Sequence, residues 1–312
     1  MIAGPKLCCA AERPQTGVNA CHHAGPYGYA RRGGGAAYGI VLKDEVSHIR
    51  WPTRETSGCM GQTPGDDGTR GHEQTPGSYA VCSSGGKDSL LALDRAVRMG
   101  MRVTRLMTLY DEASERVRFH GVPTTVMRVQ AAALAVPLSL YPTTPATFET
   151  AFLSALAEAR AAELAGVIFG NIHLADVRAW YEERVRAAGL EHIEPLWGEV
   201  PGHLAREVVA RGYAAIVTCI DASQADPAWL GQPLTEELIT AFERKGIDAC
   251  GEHGEYHTLV TNGPLFRAPL ALHIGETRLT DAPTTASRFH QLDVRLQHAV
   301  DEGARIEDVE DG

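Results

Sequence analysis

Two short stretches of this chain hold residue types that can act together chemically. The first is Ser83-Ser84-Gly85-Gly86-Lys87-Asp88-Ser89, set between the apolar runs Tyr79-Ala80-Val81-Cys82 and Leu90-Leu91-Ala92-Leu93. The pattern reads as strand, glycine turn, helix. Two adjacent glycines let the backbone turn sharply with its amides converging, and a helix starting near Asp88 adds unpaired N–H groups and its positive dipole end. Such a corner binds anions, phosphate most naturally. It is not the Walker loop, which needs four residues between its glycines, whereas Gly85 and Gly86 are neighbours. An ordinary turn with Asp88 or Ser89 capping the helix would use the same residues.

The second stretch runs from Cys250 to Val260: Cys-Gly-Glu-His-Gly-Glu-Tyr-His-Thr-Leu-Val. In an extended run Glu255, His257 and Leu259 share one face, with Tyr256, Thr258 and Val260 on the other. Two carboxylates, Glu252 and Glu255, and the His257 imidazole thus cluster around glycines. A hairpin with a solvated acidic turn is the plain structural alternative.

These residues need a scaffold, and from Tyr79 onward apolar runs alternate with helical periodicity. Strands are expected at 79–82, 102–109, 136–141, 166–170 and 193–197. Helices are expected from Asp88 and over 124–135, 147–164 and 175–188. In the third of these, Phe148, Phe152 and Leu156 form one stripe. The alternation implies an α/β, Rossmann-like parallel sheet with helices on both faces and right-handed crossovers. Ligands on such sheets bind at the carboxyl ends of the strands. That makes Ser84 to Ser89, Tyr110, Asp111, Gly170, Asn171, Trp197 and Gly198 candidates for the site, with Gly170 also readable as a turn glycine and Trp197 more readily read as packing. A helix over 202–211, a strand over 214–220, a helix over 235–245 and closing strands at 271–274 and 289–296 form a smaller C-terminal α/β subdomain.

The first 77 residues differ in kind, with 14 of the 32 glycines and four of the seven cysteines. Without hydrophobic periodicity this segment cannot bury enough apolar surface to offset its chain entropy, so a disordered arm is expected, or else translation begins near Ser78. Cys8, Cys9, Cys21, His22 and His23 match no common zinc spacing. An odd number of cysteines without a Cys-x-x-Cys pair reads as free thiols. No run approaches the roughly 18 to 20 apolar residues of a membrane span, and the start lacks a secretory pattern, so a cytoplasmic protein without a membrane partner is expected. A net charge of -10 argues against an extended nucleic-acid surface.

The loop Ser84-Gly85-Gly86-Lys87-Asp88-Ser89 is similar to the signature of the ATP pyrophosphatases, or PP-loop ATPases. Over residues 78 to about 290 the chain resembles their amidating branch, the diphthine–ammonia ligase family. The other residues carrying the resemblance are Phe119-His120-Gly121-Val122-Pro123, Gly170-Asn171-Ile172, Glu194-Pro195-Leu196-Trp197-Gly198, Trp229-Leu230-Gly231 and Gly251-Glu252-His253-Gly254-Glu255-Tyr256-His257-Thr258. The family often has Asp where Asn171 stands and Asn where His253 stands. Asn171 removes a carboxylate that would help hold magnesium.

The resemblance implies a PP-loop nucleotide-binding domain at 78–198, an acceptor-site subdomain at 199–298 and an acidic tail at 299–312. It implies ATP and Mg2+ as cofactors, with ammonium and a carboxylate acceptor as partners. That acceptor is diphthine on translation elongation factor 2, or an analogous carboxylate. The acceptor is adenylated, ammonia displaces AMP, and pyrophosphate leaves. Ser84, Gly85, Gly86 and Ser89 would hold the pyrophosphate, with His120, Gly121, Gly170 and Asn171 completing the nucleotide site. Lys87 would add positive charge, and Asp88 would ligate magnesium or cap the helix. Glu252 and Glu255 would bind the ammonium or cationic acceptor, with Tyr256 nearby and His257 as a proton relay. Two other readings share the loop: a tRNA-modifying enzyme of thiolase or lysidine-synthetase type, and an ATP sensor without chemistry.

Overall fold

Apolar runs of strand length separated by helical repeats fold, in chain order, into β1 (Ser78–Cys82), α1 (Lys87–Arg98), β2 (Arg102–Asp111), β3 (Arg116–Val117), α2 (Thr124–Leu134), β4 (Leu138–Thr143), α3 (Phe148–Ala161), β5 (Gly166–Ile168), α4 (Ala175–Ala187) and β6 (Glu191–Ile193). The computed structural model describes residues 77–281 and 288–297. The arm expected up to residue 76, with Cys8, Cys9, Cys21, His22 and His23, and the acidic tail lie outside the described residues.

β1 pairs in parallel with β2 on one side and β5 on the other, β2 with β4, and β5 with β6. The parallel strands therefore lie in the order β4-β2-β1-β5-β6, and only the two-residue β3 runs antiparallel, against the end of β2. The chain winds outward from β1 in one direction, then returns and winds in the other. The crossover reverses between β1 and β5, and the crevice at their carboxyl ends is where such sheets take ligands.

Successive residues on the central strands feed different cores, as a pleated strand requires. Val81, Leu106 and Ile168 join a cluster with α1 and α2, while Ala80, Met107 and Val167 join one with Phe152 and Leu156 of α3 and Val185 of α4. Both faces are thus covered, and a strand buried on both faces has to be apolar throughout. α2 ends at Ala135, which adopts φ 53°, and Pro137 two residues later cannot continue a helix.

The rest of the chain gives α5 (Pro201–Ala210), β7 (Ala214–Asp221), a 3-10 turn (Pro227–Trp229), α6 (Glu236–Arg244), β8 (Tyr256–Asn262), β9 (Leu272–Asp281) and β10 (Arg288–Leu296). Its sheet is antiparallel, in the order β8-β7-β10-β9. Phe242 of α6, Val208 of α5 and Val217 of β7 share the cluster that holds Leu90 and Leu91 of α1. Asp94 of α1 is 1% exposed and accepts from the Arg211 guanidinium at 2.8 Å and the Tyr213 hydroxyl at 2.9 Å, tying α1 to the start of β7.

Two expected elements are corrected. The run 193–197 is not a strand: β6 ends at Ile193, and the Trp197 amide donates to the Glu194 carbonyl at 3.3 Å, forming a turn around Pro195, which has no N–H for a ladder. Residues 250–255 are not extended either. The Gly251 amide donates to the Asp248 carbonyl at 2.9 Å and the Gly254 amide to the Gly251 carbonyl at 3.0 Å, so the strand starts only at Tyr256. Asp248 and two glycines share that turn: the Asp248 carboxylate accepts from the Cys250 amide at 2.7 Å, and Gly251 and Gly254 adopt φ +71° and +84°.

Candidate functional site

The glycine loop sits at the crossover reversal, held from both sheets. Gly85 adopts φ +77°, a left-handed conformation that disfavours a side chain. The Lys87 amide donates to the Thr258 hydroxyl at 3.1 Å and the Val260 amide to the Gly85 carbonyl at 2.9 Å, so β8 lies along the loop. Gln130 of α2 closes the third side, its amide donating to the Gly85 carbonyl at 3.0 Å and the Val260 carbonyl at 2.8 Å. Gly86 is the N-cap of α1 and has no side chain to cap it, the first helical amide, that of Lys87, going instead to Thr258. Asp88 is therefore not a cap. Gly170, just beyond β5, presses on the first turn of α1: a Cβ there would lie 2.8 Å from the Asp88 carbonyl carbon and 2.9 Å from the Ser89 nitrogen.

A cleft of about 320 Å³ opens over the loop. Ser83, Ser84, Asp88 and Ser89 line its polar end, with Gly170, Asn171 and Glu252 beside them. Phe119, Phe148, Phe169, Leu174 and Tyr181 form an apolar wall, and the Arg118 guanidinium lies 5.6 Å from the centre of the Phe119 ring and 5.5 Å from that of Phe148. A polar pole on a helix N-terminus facing an aromatic wall is a natural seat for a phosphorylated aromatic molecule.

Burial shapes the titrating groups. Glu252 is pushed up to about 7, first by burial and then by the charge of Asp88, although the Ile172 amide donates to it at 3.3 Å. Asp88 is raised as well, chiefly by burial, against the pull of Lys87. Burial alone would lower Lys87, but Asp88 at 3.0 Å and the Tyr256 ring at 4.7 Å hold it well above its usual value. Its ammonium also donates to the Cys250 carbonyl. His120 falls to about 4 and His257 is pushed well below its ordinary value, burial leading in both cases. Their rings lie 4.7 Å apart, and His120 Nδ1 is 3.0 Å from the Thr258 carbonyl. Both are neutral near pH 7.

Of the residues singled out from sequence, Ser84, Asp88, Ser89, His120, Gly170, Asn171, Glu252 and His257 line this one cleft. Gly85, Gly86 and Gly121 are close by as backbone, Gly86 against His120 and Gly121 against Gln291. Three expectations change. Lys87 is 2% exposed and outside the lining, its charge spent on Asp88, Cys250 and Tyr256. Glu255 is 5% exposed and also outside it. Its Oε1 accepts from the Asp248 amide at 3.2 Å, because the turn at 251–254 sends it to the far side of that turn from Glu252. Tyr110, Asp111, Trp197 and Gly198 do not line the cleft, and Arg178 covers the Trp197 ring at 4.4 Å.

Sequence reasoning missed the wall. Phe148 was expected in the core stripe of α3, yet only Phe152 and Leu156 are buried there, and Phe148 faces the cleft with Arg118 and Tyr181. Helical spacing gives the stripe but not which of its ends runs past the sheet edge. Cys82 and Cys250 also line the cleft, and burial keeps both as thiols, pushing Cys82 up to about 12 and Cys250 well above its ordinary value.

The donor set fits a divalent cation beside phosphate. Asp88 and Glu252 are two partly desolvated carboxylates whose charges oppose each other across one cleft, an arrangement that a hard cation relieves. Asn171 contributes no charge, and its amide donates to Glu194 Oε1 at 2.7 Å.

The fold and site define an α/β protein with a helix-opening glycine loop at the reversal point of its parallel sheet, roofed by a second, antiparallel sheet. Residues 77–192 match the family model of the diphthamide synthase N-terminal domain and residues 200–285 that of its C-terminal domain. The chain is 25% identical over 232 residues to the diphthine–ammonia ligase of Rattus norvegicus, covering 66% of this chain and 87% of that protein. It is 25% identical over 232 residues to that of Mus musculus, with the same coverage. With that of Schizosaccharomyces pombe it shares 28% over 211 residues, 61% of this chain and 35% of that protein. The chain belongs to the diphthine–ammonia ligase family.

Proposed function

We propose that the protein is an ATP-dependent amide ligase that adenylates a carboxylate and aminates it with ammonia, the acceptor being diphthine on translation elongation factor 2 or an analogous carboxylate. The observation that carries this reading is Glu252, a carboxylate held near neutral pKa on the same cleft as the glycine loop. ATP alone needs no such group, whereas an amine nucleophile does.

In this reading the loop and the start of α1 receive the β and γ phosphates, helped by the Ser84 and Ser89 hydroxyls, and the aromatic wall takes the base. An acceptor carboxylate oxygen attacks the α phosphorus, the bond to the bridging oxygen breaks, and pyrophosphate leaves. Magnesium, held by Asp88 with the phosphates, would neutralise the charge of the leaving group. Lys87 acts at one remove. By joining Asp88 to the Cys250 carbonyl it fixes the carboxylate's direction. Glu252 then binds ammonium and takes its proton, ammonia attacks the acyl carbon, and AMP departs with the acyl bond electrons. Neutral His120 and His257 border the path as hydrogen-bonding groups without opposing the cation.

The family membership and the names of the relatives support the acceptor. The thiol form of Cys82 and Cys250 speaks against sulfur transfer, which needs a thiolate. The test is to incubate the protein with ATP, magnesium, ammonium and elongation factor 2 carrying diphthine, following AMP and the acceptor mass. Stoichiometric AMP with the mass of an amide is expected. Pyrophosphate release with tRNA or a different carboxylate, and none with this acceptor, would overturn the substrate and keep the adenylation.

A further inference from the structure

Just behind the Glu252 wall, three side chains that play no part in the reaction above come together. His173, in the segment between β5 and α4, places Nε2 2.8 Å from Asp248 Oδ2. His253, in the turn before β8, brings its ring to 5.3 Å from that of His173. One ligand atom from each of the three residues lies within 4.8 Å of the others.

We infer that His173, Asp248 and His253 form a binding site for a borderline divalent transition cation of the zinc class, distinct from the magnesium expected with ATP. Two imidazole nitrogens and one carboxylate oxygen suit zinc, cobalt or nickel, whereas magnesium takes oxygen ligands and keeps its waters. The carboxylate is aimed in advance. Asp248 Oδ1 accepts from the Cys250 amide at 2.7 Å, leaving Oδ2 turned to His173. Ligands bound at about 2.0–2.2 Å in a tetrahedron stand roughly 3.3–3.5 Å apart. The His173 to Asp248 pair is already inside that spacing, and the exposed His253 side chain, on a turn flanked by Gly251 and Gly254, swings about 1 Å to complete it. Three protein ligands leave a fourth position for water.

The site would bolt together two segments that meet at the reaction. His173 follows Ile172, whose amide holds Glu252, and His253 follows Glu252 itself. Asp248 is bonded to the amide of Cys250, whose carbonyl holds Lys87. A bound cation thus becomes a rivet behind the acceptor wall and stabilises the folded state by mass action.

The test uses the full chain, stripped with a chelator and titrated with cobalt(II) chloride, followed by visible ligand-field absorption, with zinc chloride as competitor and melting temperature as a second readout. One equivalent of cobalt, displaced by zinc, and a melting temperature raised by several degrees at saturation are expected. His253→Asn and His173→Asn should each weaken binding about 100-fold or more and remove the rise in melting temperature on adding metal, each variant being compared with its own metal-free form. His253 is exposed, so its variant tests the site even if His173→Asn loses stability with its hydrogen bond to Asp248. Cobalt bound equally by wild type and both variants, as an arm bearing Cys8, Cys9 and Cys21 could bind it, or no cobalt absorption in the wild type, would overturn the site. Neither result bears on ligase activity, which is assayed without cobalt or zinc.

Discussion

The backbone amide of Lys87 is bonded to the side-chain hydroxyl of Thr258 at 3.1 Å, across 171 residues of sequence. Through this contact the antiparallel sheet determines where the anion-binding loop of the parallel sheet stands. Thr258 is 1% exposed and its carbonyl also meets His120, so one residue sets two parts of the cleft. Thr258→Val keeps the shape and deletes the acceptor. It should cost about 1–2 kcal/mol in denaturant unfolding and lower pyrophosphate formation by about tenfold, with Thr258→Ser restoring both. Equal activity in the valine variant would show that the loop needs no such support.

Asp88→Asn and Ser89→Ala should each lower pyrophosphate formation by about 100-fold or more, since the contacts they remove strengthen as charge builds on the leaving group. Circular dichroism should be unchanged, because Lys87 keeps the Cys250 carbonyl and the Tyr256 ring. Wild-type turnover in both variants would remove the loop from the chemistry.

Glu252→Gln should uncouple rate from stability. Its carboxyl sits near 7 in the folded protein against an ordinary value of 4.5. The stabilisation from holding its proton is therefore complete below pH 4.5 and lost as the pH rises through about 7. Removing the charge should raise stability by about 1–3 kcal/mol at pH 8, lower amide formation by about 100-fold, and abolish the bend in the pH–rate profile near 7. The acyl adenylate should then accumulate, trapped by hydroxylamine as the hydroxamate. A bend that survives the substitution belongs to another group. Glu255→Gln, whose amide oxygen still accepts from the Asp248 amide, should keep amide formation within about threefold of wild type.

Acid should unfold the protein through its neutral histidines. His120 titrates in the folded state at about 4 and at 6.5 when exposed. Its contribution is full above pH 6.5 and is lost as the pH falls through about 4, with His257 adding in the same direction. His120→Gln, uncharged throughout, should move the acid-unfolding midpoint lower, as read by fluorescence. A midpoint that moves higher would contradict the assignment.

Gly170→Ala should disturb the start of α1 more than it disturbs the strand before it. The added carbon would press on backbone, at 2.8 Å from the Asp88 carbonyl carbon, and backbone gives little. ATP affinity should fall by at least tenfold, measured calorimetrically, with a stability loss of about 1–3 kcal/mol. Full affinity would mean that α1 can shift without consequence.

What the sequence showed and what it hid divide along physical lines. The loop was legible because its cause is local: glycines between an apolar strand and an apolar helix permit little else. The parallel sheet covered on both faces followed from the alternation of strand and helix, whereas its strand order came only with the pairing of β1 between β2 and β5. The separation of Glu252 from Glu255 was hidden, because it depends on two successive turns, one closed on the Asp248 carbonyl and the next on that of Gly251. The burial of Lys87 was hidden too, since its partners Cys250 and Tyr256 lie over 160 residues away. Phe148 shows a third limit, in that periodicity assigns a face to a helix and says nothing of where that face stops being covered.

The amides of Gly85, Gly86 and Lys87 already have oxygen partners, the hydroxyls of Ser83, Ser84 and Thr258 at 3.2, 3.4 and 3.1 Å. An arriving anion that takes these amides swaps partners instead of filling a deficit, so each bond gained is set against one released. A bond from an amide to an anion is stronger than one to a neutral hydroxyl, so the exchange still favours the anion, by the difference between the two bonds. A bound anion would be held by that difference, and the hydroxyls of Ser83, Ser84 and Thr258 remain at hand to take the amides back when it leaves.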